Sequence, residues 1–448
     1  MSLRLLHYSD LENAYDDPTR IGRLAATIDA RRDDRTLVVG TGDNTAPGVL
    51  ALETEGRQAL EFFDAVAPDA ETFGNHDFDF GPANTRDIVV NSPQPWLSAN
   101  VYDPSGEQRF ADVAPGMVVE RGDTSVGLFG LTDPATPSMC PAATDLVFSD
   151  PIEAARETVA DLRARGVDHV VVLSHLGRGD DELARAVDVD VVLGGHVHSE
   201  RRDRVAGTVL TRPGATGAVL WEVELGGHVT TTRHDVTAAT ADESVADRLR
   251  ARMDETGLSA VVAVVSDPIV RTRERRYGGE NRLANLVTDA YRWATDADVG
   301  FSGAGALRDG PSLSGEVTVA DLIGLSPFSG TLQTAEVSGA SLRSLVESVA
   351  TPPAEVEDKR RFGHFSGLEI VWDREAMELV ELSHDGDPVD SDATYTLATS
   401  AFFVQSESFP APTREDVVAD HGVQYDAIVA YARERGLDVE LDGRLRDV

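Results

Sequence analysis

Short apolar runs rich in branched residues alternate with segments of helical spacing through the first half of the chain, and no other feature narrows the fold as much. "LRLLHYS", "TLVVG", "AETF", "PWLSANV", "DHVVVLSH" and "DVVLGGH" read as strands, while "RIGRLAATIDARR" and "EGRQALEFFDAV" have the spacing of helices. "MVVERGDTSVGLFGLTD" places two apolar runs around a Gly-Asp turn, which predicts a hairpin. "DPIEAARETVADLRARG" predicts a helix with Asp150 as N-cap, Pro151 at its first position and Gly166 closing it. Strands and helices interleaved in this way bury their apolar faces by layering helices on sheets, so an α/β sandwich is expected.

At 448 residues the chain exceeds what one core usually serves, and two domains of about 200 residues each are expected. The pattern shifts at "TAATADESVADRLRARMDETG", a polar helical stretch without a full apolar face. We therefore divide the chain into a first domain at 1–236, a linker helix within 237–263 and a second domain at 264–448. The second domain has its own helices ("RLANLVTDAYRWATD", "GASLRSLVESVA", "YDAIVAYARERG") and strands ("LEIVWD", "MELVELSHDGDPV", "YTLATSAFF"). "TPPAEVEDKRRFG" is charged and Pro-containing, a surface loop.

Composition excludes several classes of function. The formal charge is −37, and Lys359 is the single lysine. Such a surface repels nucleic acid polymers and phospholipid headgroups, so neither is an expected partner. Acidity without lysine, on a chain that keeps its apolar periodicity, suits a salt-rich cytoplasm, where charge keeps a folded protein dissolved. There is no run of eighteen apolar residues, and "MSLRLLHYSD" lacks the basic and apolar regions of an export signal, so a soluble, cytoplasmic protein is expected. Cys140 is the lone cysteine, which rules out an internal disulfide framework and a cysteine-rich metal site. Its Pro-rich setting, "PSMCPAA", offers no base to make it a nucleophile.

The chemistry lies at the ends of the predicted strands. "LRLLHYS" is followed by Asp10 and Glu12, "TLVVG" by Asp43, "AETF" by Asn75 and His76, "VVVLS" by His175, and "VVLGG" by His196 and His198. One Asp or His after a strand is usually a turn or surface residue. Five such junctions together point to a site at the carboxyl ends of a sheet, where α/β folds build them. Three carboxylates, an amide and several imidazoles without thiolates do not make a structural zinc cage. They suit two divalent ions of the Mn, Fe, Co or Zn type, bridged by a carboxylate, which clamp a phosphoryl oxygen and acidify water. His76 is then left over and suited to protonate a leaving alkoxide.

These motifs, "SDLEN", "GD", "GNHDFD", "SHLG" and "GGHVHS", resemble those of calcineurin-like metallophosphoesterases, in particular the bacterial 5'-nucleotidase and UDP-sugar hydrolase family. The second half carries the family's other pattern in "ENRLANLVTDA", "GAGALR", "SPFSGTL" and "YTLATSAFF". The resemblance implies a four-layer α/β/β/α sandwich followed by an α+β substrate-recognition domain, and the composition suggests a haloarchaeal member. It implies that Asp10, Glu12 and His198 hold a first metal, that Asp43 bridges, and that Asn75, His175 and His196 complete a second. His76 matches the catalytic histidine and Asp79 the carboxylate that orients it, while Asp77 becomes a supporting loop residue. Phe328 and Phe402 match two aromatics that sandwich a base, and Arg308 an arginine on the phosphate or ribose side.

The implied reaction is hydrolysis of phosphate monoesters, foremost nucleoside 5'-monophosphates, in nucleotide catabolism. The alternative is a phosphodiesterase or pyrophosphohydrolase acting on 2',3'-cyclic nucleotides, UDP-sugars or dinucleotides. A non-catalytic nucleotide sensor would leave His76 and the full ligand set without use. Three departures from the family pattern stand out. Glu12 replaces the usual histidine, which lowers the formal site charge to about +1 and tilts preference toward Mn²⁺ over Zn²⁺, Co²⁺ or Fe²⁺. "VQSESFPAPT" lacks the Gly- and Asp-containing turn that contacts ribose, with Glu407 or Ser408 as substitutes. The family's arginine before the "E-x-N" helix has no clear match, with Arg275, Arg276 and Arg282 all nearby.

Overall fold

The computed structural model describes residues 3–349, 362–373, 375–376, 378–406 and 409–448. The chain separates into two compact units, Met1–Thr256 and Gly257–Val448.

In the first unit two sheets lie face to face. Strand Leu3–Tyr8 pairs in parallel with Thr36–Gly40 and antiparallel with Val219–Leu225, and Thr230–Asp235 completes a sheet of four. The other sheet has six strands, in the order Arg201–Val205, Thr208–Arg212, Val191–Gly194, His169–His175, Thr124–Thr132 and Gly116–Arg121. Period-two alternation sorts the side chains. Leu3 and Leu5 join Leu37, Val39, Leu128, Val171 and Leu173 in one core. His7, on the same face, reaches Thr211 of the six-stranded sheet at 3.1 Å. Tyr8, on the opposite face, meets Phe62 of helix Ala59–Val66 edge-on. On the far side of the six-stranded sheet, Phe129, Val170 and Val172 pack against Ala155, Val159 and Leu162 of helix Pro151–Ala164. Helix, sheet, sheet and helix thus form four layers, as the resemblance implies.

Local signals behave as their chemistry dictates. Asp150 accepts from the Ile152 and Glu153 amides, both at 2.9 Å, and Gly166 closes the helix at φ +78°. The hairpin forms with Arg121 opposite Thr124. Three readings need correction. "AETF" contributes only the two-residue strand Glu71–Thr72, paired with Trp96–Leu97. The segment read as a linker holds helix Glu243–Glu255, which buries Val245, Ala246 and Leu249 within the first unit. Its apolar stripe is only three residues wide, and the surrounding charges hide it in the sequence. "YTLATSAFF" is a strand only as far as Ser400, and Ala401–Gln405 turns helical. Most of the expected surface loop (351–361), together with Glu407 and Ser408, lies outside the described residues.

The second unit is α+β. Its five-stranded sheet runs Gly363–Ser366, Val299–Gly303, Thr394–Ser400, Thr331–Ser338 and Val417–Val423. A four-stranded sheet lies beside it in the order Asp387–Pro388, Glu378–His384, Glu369–Asp373 and Leu445–Asp447. Phe301, Leu342, Leu345, Trp372 and Leu397 form the core.

His364 gives this unit an acid-sensitive point. It is buried on strand Gly363–Ser366, and its Nε2 donates to the Arg276 carbonyl at 2.8 Å. Burial pushes its pKa from 6.5 down to about 4. In that window the unfolded chain takes up a proton that the folded chain refuses, so stability falls on acidification. From pH 7 to pH 5 the loss is about 2 kcal/mol. His364→Gln keeps a donor without the titration. Denaturant unfolding at the two pH values should show the wild type losing about 2 kcal/mol more than the variant, and equal losses would refute the assignment.

Candidate metal centre

Strand ends bring the sequence-derived residues together. Leu3–Tyr8 leads to Asp10 and Glu12, Thr36–Gly40 to Asp43, Glu71–Thr72 to Asn75 and His76, His169–His175 ends on His175, and Val191–Gly194 leads to His196 and His198. Three overlapping groups have ligand-type atoms within 4.8 Å of one another: Asp43, His175 and His196; Asp10, Glu12 and His198; and Glu12, Asp43 and His76. Asp43 and Glu12, each shared by two groups, join them into one centre.

The backbone around these residues is under tension. Asp10 (φ +50°), Glu12 (+45°), Asp43 (+53°) and His196 (+71°) all adopt left-handed conformations that non-glycine residues avoid. Strain of this kind persists only where surrounding contacts over-determine it. Asp77 supplies many of those contacts, accepting from the amides of Asp43 (2.9 Å), Asn44 (3.2 Å), Thr45 (3.1 Å) and Gly74 (2.7 Å). Gly74 is required by close approach, since a Cβ there would lie 2.1 Å from Asp43 Oδ1.

The donor set suits divalent cations. His175 Nδ1 donates to the Thr41 carbonyl at 2.6 Å, which turns Nε2 inward, 3.0 Å from Asp43 Oδ2. His198 Nε2 stands 2.7 Å from Glu12 Oε1. Yet His175 Nε2, Glu12 Oε1 and Asn75 Oδ1 are buried atoms without a hydrogen bond of acceptable geometry among the described residues. Close approach without hydrogen-bond angles is how ligands of a shared cation sit. Thiolates are absent, and oxygen and imidazole donors favour ions of the Mn to Zn series.

Burial and charge crowding leave the same mark on the titrating groups. Burial, with neighbouring Asp43 and Glu12, pushes Asp10 up to about 7. Burial alone would raise Asp43, but His175 and His76 outweigh it and hold Asp43 below the usual carboxylate range. His175 is pushed up to about 10, Asp43 overcoming its burial. His76 is also raised to about 10 against its burial, by Asp43 and by Asp79, whose Oδ2 is 2.8 Å from His76 Nδ1.

The second unit holds the remaining candidates. The Arg308 guanidinium lies over the Phe328 ring, 4.6 Å from its centroid. Phe328 and Phe402 are 36% and 64% exposed, rare for aromatics in this chain. Leu332 pairs with Ser400 across the antiparallel strands, so the segments carrying Phe328 and Phe402 emerge at one end of the sheet. The Phe402 ring packs edge-on against Phe403. Of the nearby arginines, Arg276 is committed to Asp309 and the Ala304 and Leu307 carbonyls, and Arg282 to Asp267. Cys140 is buried, its thiol pushed up to about 12 chiefly by burial, consistent with an unreactive residue. Sequence reasoning missed Asp133, 3.8 Å from His196 Nε2. It follows the carboxyl end of strand Thr124–Thr132, so the strand-end rule applied to the hairpin's second strand would have found it.

Residues 3–200 match the family model for calcineurin-like phosphoesterases, and residues 261–413 that for the 5'-nucleotidase C-terminal domain. The chain belongs to the calcineurin-like phosphoesterases that carry this C-terminal domain. It is 24% identical, over its full length, to the trifunctional nucleotide phosphoesterase protein YfkN of Bacillus subtilis, of which it spans 35%. It is 31% identical to a 5'-nucleotidase of Diplobatis ommata over 37% of this chain and 30% of that protein. The chain thus spans about a third of the length of these curated relatives. The 5'-nucleotidase precursor from Thermus thermophilus shares the fold, with a TM-score of 0.75 over 100% of this chain and 99% of that one at 24% identity. Among the described residues no helix is long and apolar enough to cross a membrane.

Proposed function

We propose that the protein is a metal-dependent phosphoric ester hydrolase that removes phosphate from small monoesters, foremost nucleoside 5'-monophosphates. Asp10, Glu12 and His198 would hold one divalent cation and Asn75, His175 and His196 a second, with Asp43 between them. Two such cations supply Lewis-acid activation of the phosphoryl group and acidify the attacking water. Protonated His76, its Nδ1 held by Asp79, gives the proton on Nε2 to the ester oxygen as the bond to phosphorus breaks, so the alcohol leaves neutral. We assign the first unit, Met1–Thr256, to this chemistry and the second, Gly257–Val448, to substrate recognition. There Phe328 and Phe402 stack the base and Arg308 faces the phosphate or ribose side. Glu12 in place of a neutral ligand favours Mn²⁺, and the acidic, arginine-based surface suits a salt-rich cytoplasm.

What supports the reading most directly is that His175 Nε2 and Glu12 Oε1, both buried and without a hydrogen bond among the described residues, belong to ligand groups that share Asp43. Release of phosphate from nucleoside 5'-monophosphates in molar salt with Mn²⁺, abolished by chelation, tests it. Stoichiometric nucleotide binding without turnover in metal-replete protein would overturn it. Base stacking is lost when either aromatic is removed. Phe328→Ala and Phe402→Ala should each raise KM for a nucleotide about tenfold and raise KM for p-nitrophenyl phosphate, which has no base, much less. Equal effects on both substrates would reject the stacking role.

A further inference from the structure

The loop at 10–12 is left-handed at both of its candidate ligands and is held in that shape through its amides. Asp10 N donates to the Gly42 carbonyl at 3.0 Å, and Glu12 N to the Asp43 carbonyl at 3.2 Å. Between them Leu11 N donates to a side chain, Asn44 Oδ1, at 3.3 Å. The loop that carries Asp10 and Glu12 thus rests on the loop that carries Asp43, and one of these three ties depends on which residue stands at 44.

Asn44 is fully buried, and its other groups are engaged as well. Its amide donates to Asp77 Oδ1 at 3.2 Å, its carbonyl accepts from the Tyr15 hydroxyl at 2.9 Å, and its Nδ2 donates to Glu71 Oε2 at 3.1 Å. Glu71 is equally enclosed, its other oxygen accepts from the Tyr8 hydroxyl, and it leaves no room for a Cβ at Gly40. A carboxyl clamped in this way cannot turn aside. A carboxylate oxygen accepts, so it draws Nδ2 toward itself and leaves Oδ1 facing Leu11. We infer that Asn44, oriented by Glu71, is the positioning residue that fixes Asp10 and Glu12 relative to Asp43 and so sets the affinity for the first cation. The inference rests on the metal-centre reading above. Asp43 keeps its place without the Asn44 side chain, because Asp77 also holds the Asp43 and Thr45 amides. The second cation should therefore be indifferent to it.

Calorimetric titration of the full chain with Mn²⁺, with denaturant unfolding measured alongside, tests this. Asn44→Ala should raise Kd for the first cation by about 10–100-fold, the usual effect of losing a group that orients metal ligands. In a His198→Ala background, where the second cation is the one left to bind, adding Asn44→Ala should leave Kd unchanged. Asn44→Asp keeps an acceptor for Leu11 but turns a carboxylate on Glu71, and it should weaken the first cation too. Combining it with Glu71→Gln restores the hydrogen bond with donor and acceptor exchanged, while the amide oxygen at 71 still accepts from Tyr8. N44D/E71Q should therefore recover most of the affinity lost in N44D, and this comparison decides the matter if Asn44→Ala does not fold. Equal affinities in N44D and N44D/E71Q overturn the inference and leave the metal-centre reading standing. So does an Asn44→Ala protein that binds Mn²⁺ like the wild type, or one that loses affinity for both cations alike. A wild type that binds no Mn²⁺ overturns both.

Discussion

Replacing His76 with alanine is expected to lower kcat on nucleoside monophosphates by about 10²–10⁴-fold, the usual contribution of a general acid. Three observations lead there. His76 Nδ1 is held by Asp79 at 2.8 Å, so the proton available for transfer is the one on Nε2. Asp43 and Asp79 raise its pKa to about 10, which keeps the ring charged at neutral pH. Its amide also donates to Asp43 Oδ1 at 2.7 Å, which fixes the ring beside the ligand cluster. The leaving group provides the decisive comparison. Nitrophenolate departs as an anion and needs little help, so His76→Ala should slow p-nitrophenyl phosphate at least tenfold less than a nucleotide. His76 also falls within ligand distance of Glu12 and Asp43, so a purely metal-holding role is the competing account. Elemental analysis separates the two. A proton donor leaves two metal equivalents in the variant, whereas a ligand takes metal with it and slows both substrates alike.

The candidate ligands were legible because each follows a strand, and strands of this kind announce themselves by apolar runs. Asp10, Asp43, Asn75, His175 and His196 needed no structure to be singled out, and parallel pairing of Leu3–Tyr8 with Thr36–Gly40 and of His169–His175 with Val191–Gly194 sets Asp10 beside Asp43 and His175 beside His196. What holds them in place was much less visible. Asp77 was placed as a supporting loop residue, but nothing in "GNHD" specifies that it gathers, besides the Gly74 amide, three amides more than thirty positions away. The Thr41 carbonyl that orients His175 is a backbone atom and leaves no trace in composition. Helix Glu243–Glu255 was misread for a related reason. Tertiary packing on Val245, Ala246 and Leu249 decided its place, and helix propensity carries no such information. Phe402 was found by resemblance, but the helical turn that bears it was hidden inside a β-like run.

The pair formed by Asp180 and Arg212 belongs to the same hidden layer, and breaking it should have the largest effect on stability. Both side chains are buried, with Asp180 fully enclosed and Arg212 5% exposed. Burial pushes Asp180 up to about 6, while the Ser174 hydroxyl at 2.6 Å and Arg212 hold it down, so it remains ionised at neutral pH. Arg212 also donates to the Gly177 carbonyl at 2.9 Å, and Gly177 packs so closely on His196 that a Cβ would lie 2.7 Å from the ring. One guanidinium thus ties the turn after His175 to the end of strand Thr208–Arg212, and that turn packs against His196. Arg212→Met leaves a buried carboxylate without its partner and should cost about 3–5 kcal/mol, read as a lower midpoint for the first unit in denaturant unfolding. Arg212→Met combined with Asp180→Leu removes the stranded charge and should recover most of that loss, because an apolar pair of similar volume often replaces a buried ion pair at little cost. A double variant as unstable as the single one would show that packing around Gly177, and not the uncompensated carboxylate, is what Arg212 sustains.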